Sequence, residues 1–120
     1  MTATRGSSAT HRELAAGRWH AMPLVEQMAN VGSEVSRTIR ALGQGHTERA
    51  TNAMARALEL FDLTAADPRW KGPGRREVLR ARELFCGLRY SSAPAPGDAE
   101  FVERYFLQFA VAARRDRHVG

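Results

Sequence analysis

The segment Pro23 to Leu42, PLVEQMANVGSEVSRTIRAL, decides the fold class. Met28, Val31, Val35, Thr38/Ile39 and Leu42 recur at spacings of three and four, the signature of one buried helix face. Pro23 suits the first helical turn, where its missing N–H forfeits no bond. Gly43-Gln44-Gly45 follows and ends the helix, with glycine where left-handed backbone is wanted.

Downstream, the same pattern returns three times. Thr47 is the expected cap of a second helix over residues 48–66, with Ala50, Met54, Ala57/Leu58, Phe61 and Ala65 as its apolar stripe. Asp67-Pro68 stops it, because proline disfavours helix at the residue before it. Residues 67–74 hold two prolines and two glycines and read as a loop. A third helix, 75–89, carries Val78, Ala81/Arg82, Phe85 and Leu88. After a loop at 91–97, Asp98 caps a fourth helix over 99–115. That helix is apolar around more than half its circumference, so it is expected to sit centrally or to face another subunit.

Upstream, residues 1–9 read as a disordered tail. Thr10 to Glu13 fits a capping box opening a short helix that Gly17 interrupts. Trp19, Ala21 and Met22 form an apolar lead-in suited to docking on the main body. No segment alternates at period two long enough for a strand. The expectation is an all-α, single domain over residues 10–118. Its architecture is an antiparallel four-helix bundle with a short N-terminal helix or arm.

Composition narrows the function classes. The chain has 120 residues, 43% of them hydrophobic and 26% charged, enough for one domain with its own core. No apolar run approaches the roughly 20 residues of a membrane span, and Met1 to Thr10 lacks the apolar stretch of a secretory signal. A cytoplasmic protein is expected. The single cysteine, Cys86, excludes an internal disulfide and a multi-cysteine zinc cage, and reads as a small core residue.

The net charge is +5, and all but Lys71 of the 18 cations are arginine. That balance favours nucleic acid or an acidic protein surface as partner, although arginine-rich composition alone produces it too. The densest positive run comprises Arg69, Lys71, Arg75, Arg76, Arg80 and Arg82, with Glu77 its one acid. Arg75, Arg82 and Arg89 stand seven apart and share one side of their helix. Arginine forks and a helix start can both hold phosphate. No helix-turn-helix, zinc finger or other nucleic-acid motif accompanies the run.

A second set of polar residues lies on helix faces at spacings of three and four: Asn30, Glu34 and Arg37; Arg56, Glu59 and Asp62; Arg76, Arg80 and Glu83. Facing stripes of this kind build either one polar pocket between helices or an ion network that sets their register. The four histidines, His11, His20, His46 and His118, show no helical metal spacing. Arg40 and His46 have the spacing loosely used by some helical-bundle ribonucleases. Ala41 stands where those enzymes usually carry a polar residue, so no catalytic residue, metal or cofactor is assigned.

Four strings, residues 24–37, 57–70, 76–86 and 105–114, together resemble an uncharacterised family of small, all-helical prokaryotic proteins. The resemblance spans about residues 19–115. It implies a stand-alone cytoplasmic helical domain and carries over no activity.

Two functional expectations follow. The first is a non-catalytic binding or adaptor module, homo-oligomeric, whose basic surface meets an acidic protein or nucleic acid. The second is a small enzyme or ligand-binding protein with a Glu/Asp/Arg pocket between helices. They differ in whether the polar residues converge on one cavity or pair with one another.

Overall fold

A computed structural model describes residues 17–90 and 97–119; the expected tail, the Thr10–Glu13 capping box and most of the second loop lie outside the described residues. Residues 17–19 are helical (α1) and lead into α2 (Leu24–Gly43), α3 (Thr47–Ala65), α4 (Pro73–Tyr90) and α5 (Asp98–Val119). There is no strand among the described residues. The protein is an all-α helical bundle.

The chain terminators act as the sequence implies. At the end of α2, Gly45 adopts φ +74°, which a side chain would strain. Its N–H donates to Leu42 O, and His46 N–H donates to Ala41 O at 2.9 Å. Those two bonds make a Schellman motif and satisfy carbonyls that the helix leaves open. Thr47 does not cap α3: it is the first helical residue, and His46 takes the cap position without a side-chain bond.

Proline at 68 and aspartate at 67 build a tight turn after α3. Trp70 N–H donates to Asp67 O, while Arg69 N–H donates to Asp67 Oδ1 at 3.0 Å. Aspartate first and proline second is the pattern such turns favour.

The core follows the apolar stripes. Met28, Val31 and Val35 of α2 meet Met54, Ala57 and Phe61 of α3, Val78, Ala81 and Phe85 of α4, and Val102 and Phe106 of α5. Phe61 is fully buried at the junction, its ring 5.9 Å from Phe85 and 6.0 Å from Phe106. Burying one such ring stabilises the fold by about 2–3 kcal/mol.

α2, rather than the aromatic α5, is the central helix, packing closely along both α3 and α5. Glycine makes this possible: a Cβ on Gly32 would stand 3.1 Å from the Cβ of Phe106. The small-residue face of α2 therefore draws α5 in, and α5 turns part of its apolar surface outward. Leu107 is 56% and Val111 44% exposed. Leu42, the last residue of the α2 seam, is also exposed, because it lies beyond the reach of the core.

Candidate functional site

Polar chemistry gathers in two places, one at each end of α2. The first is a buried knot where residues 19–22, the start of α2 and the turn after α3 converge. Trp19 is buried and its indole N–H donates to Thr64 Oγ1 at 2.8 Å. The Trp19 carbonyl accepts from Gln27 Nε2 at 2.7 Å. Gln27 Nε2 also donates to Asp67 Oδ2 at 3.1 Å, and Gln27 Oε1 accepts from Trp70 Nε1 at 2.6 Å. Arg69 closes the knot: Nη2 donates to Asp67 Oδ2 at 2.7 Å and to Met22 O at 2.6 Å, and its guanidinium lies 4.4 Å from the centre of the Trp70 ring. His20 Nε2 lies 2.9 Å from Leu63 O. A carbonyl only accepts, so this nitrogen carries the proton.

Asp67 is only 2% exposed. Hydrogen bonds from Arg69 hold its carboxyl well below the usual carboxylate range, against the opposing effect of burial. The arrangement is self-sufficient: the buried carboxylate has a cation, a backbone N–H and an amide as partners. Such a knot pins the N-terminal arm to the bundle. Sequence reading placed Asp67 as a helix stop and Arg69 in a basic surface, and passed over Gln27. The Asp-Pro-Arg-Trp turn was the available signal; the partner 40 residues away was not.

The expected polar stripes do not gather in one cavity. Glu34 receives Arg37 Nη1 at 2.6 Å on one oxygen and Arg56 Nε at 3.2 Å on the other, joining α2 to α3. Asp62 stands 3.6 Å from the buried Nε of Arg82, joining α3 to α4. Asn30 donates to Glu26 O on its own helix at 2.9 Å. Glu59, Arg80 and Glu83 are exposed. A pair that sequence reading missed joins α4 to α5: the Tyr105 hydroxyl donates to Glu77. Burial first, and Glu77 second, raise the Tyr105 phenol above its ordinary value.

The basic run is likewise divided. Arg69 belongs to the knot and Arg82 to the Asp62 pair, while Lys71, Arg75, Arg76 and Arg80 are exposed at the start of α4. The side chain of Arg89 lies outside the described residues.

The second gathering is at the far end of α2. Arg37, Arg40, Gln44, Arg49, Asn52 and Arg56 line a shallow cleft of about 260 Å³ between α2 and α3. Two of its arginines share Glu34; Arg40 and Arg49 form no ion pair among the described residues. Four arginines against one glutamate leave three positive charges at the cleft. Each guanidinium carries five N–H donors, so the two oxygens of Glu34 consume few of them. Arg37 and Arg40 also border a longer groove of about 820 Å³ between α2 and α5.

Among the described residues, no group of three or more His, Cys, Asp or Glu is placed to hold a metal. No described helix is long and apolar enough to cross a membrane. No family model, curated protein or solved structure matches the chain.

Proposed function

We propose that this chain is a non-catalytic, cytoplasmic binding module that grips the phosphate backbone of a nucleic acid through the arginine cleft between α2 and α3. The observation that carries the reading is the cleft itself: Arg37, Arg40, Arg49 and Arg56 around one depression, with Glu34 alone opposing them. Guanidinium forks match phosphate oxygens two at a time, and exposed positive charge gains affinity by releasing condensed counterions. Gln44 and Asn52 supply neutral donors of the kind that position a backbone without reading bases. Lys71, Arg75 and Arg76 extend the basic surface on α4. The pairing of Glu34 and Asp62 with arginines on neighbouring helices supports a binding module over an enzyme pocket. The outward apolar face of α5 supports an oligomeric module.

The test is fluorescence anisotropy with labelled RNA and DNA oligonucleotides across a salt series, with poly-glutamate as competitor. Affinity should fall steeply with salt. Arg40→Gln with Arg49→Gln should lower the slope by about two, one for each phosphate no longer neutralised. Absence of oligonucleotide binding overturns the reading. Stronger binding to poly-glutamate than to either nucleic acid overturns it in favour of an acidic protein partner.

A further inference from the structure

We propose that α5 is a self-association surface on which a second copy of this chain docks antiparallel, about a two-fold axis at Leu107. The inference rests on the oligomeric part of the reading above; its surface meets the arginine cleft at Arg37 and Arg40, so its test is run without nucleic acid.

Leu107 and Val111 are exposed apolar residues of α5, and they stand four apart, about one helical turn. The spacing of Glu100, Arg104, Leu107, Val111 and Arg114 puts them on one stripe of α5, opposite the buried Val102 and Phe106. An apolar centre flanked by charge is the anatomy of an interface.

Charge along that stripe selects the occupant. Before Leu107 the stripe and its edges carry Glu100, Glu103 and Arg104, a net negative charge; after it they carry Arg114 and Arg115, both positive. None of the five forms an ion pair among the described residues. A stripe polarised in this way is complementary to a second copy of itself running in the opposite direction. Glu100 is seven residues before Leu107 and Arg114 seven after, so a two-fold axis at Leu107 sets each Glu100 against Arg114 of the second copy. Moving the axis two residues on, to Phe109, would set Arg104 against Arg114, two repulsions that offset the two attractions of Glu103 with Arg115. The charges therefore favour the axis at Leu107 over that one, as well as the antiparallel direction. This is an isologous contact, which closes at two copies.

The groove beside the stripe continues the surface that the second copy would meet. It is floored by Ala29, Gly32, Ser33 and Ser36 of α2, with Leu107 on its α5 wall and about 820 Å³ of space. Small residues on such a floor let another helix approach closely, as Gly32 already does for Phe106.

Sedimentation equilibrium on the nuclease-treated full chain reads this directly. The wild type should weigh twice its 13.3 kDa at micromolar concentration. Leu107→Glu should run as a monomer with its helical circular dichroism intact, since the residue is exposed. Glu100→Arg should loosen the dimer by about tenfold or more, and adding Arg114→Glu should restore it. That rescue distinguishes the proposed pairing from general damage to the fold. A wild type that stays monomeric up to about 100 μM overturns the proposal. So does an oligomer indifferent to Leu107→Glu, or a charge swap without rescue. Nucleic acid is absent throughout, so failure here leaves the arginine cleft to its own test.

Discussion

The two ends of α2 carry polar groups with opposite habits. Near its start, Gln27 is buried and its amide is spent on Trp19, Asp67 and Trp70. Near its end, Arg37 and Arg40 face a cleft in which positive charge outnumbers negative by four to one. Both regions contain an arginine–carboxylate pair. In the knot, Asp67 has no exposed side-chain surface and Arg69 is committed to it and to a backbone carbonyl. At the cleft, Glu34 is partly exposed and each of its arginines is more than half exposed. A buried polar group must be satisfied within the fold, so the knot holds structure together. Exposed charge in excess costs the fold little and remains available to a partner.

Substitution should separate the two regions sharply. Asp67→Ala removes one of the two acceptors of Gln27 Nε2 and leaves the Arg69 backbone N–H without its acceptor and its guanidinium without its counter-charge, and should cost about 3 kcal/mol in urea unfolding. Arg40→Gln in the cleft should cost no more than about 0.5 kcal/mol. Equal losses would break the comparison.

Acid should act on the knot through the same carboxyl. Its folded pKa is depressed, so its contribution is fully present above the ordinary carboxylate value of about 4 and is lost as pH falls through the folded value below that. Wild-type urea midpoints should therefore drop on acidification below about pH 4, and Asp67→Asn should flatten that drop. An unchanged pH profile in the variant would show that other carboxylates govern acid unfolding.

The smallest effect sharpens the other side. Glu34→Gln releases Arg37 and Arg56 and should change stability by no more than about 0.5 kcal/mol, the scale of exposed pairs. It should also tighten oligonucleotide binding at low salt, because the cleft gains a net positive charge. A marked loss of stability with no gain in binding would make Glu34 a structural bridge like Asp67.

Legibility differed between these regions for a physical reason. Helix periodicity placed Val31, Val35, Phe61, Val78 and Phe85 in the core, because a face that recurs every three to four residues has one way to be buried. The N-terminal lead-in was legible as a docking segment, and Trp19 is indeed buried. The candidate polar residues were legible as charged positions but not as pairs. Glu34 offers one oxygen to Arg37 and the other to Arg56, the latter 22 residues on, and Tyr105 meets Glu77 across 28. The basic run looked continuous, yet Arg69 turns inward to Asp67 and Arg82 toward Asp62.

Helix number, helix order, the terminating turns and the apolar stripes follow from the chain alone, since each depends on neighbours within about a turn. The close packing of α5 on Gly32, the saturated knot around Gln27 and Asp67 and the arginine cleft belong to the packed bundle. They depend on which faces meet, and a short-range pattern states that a face is apolar or charged without stating what lies opposite it.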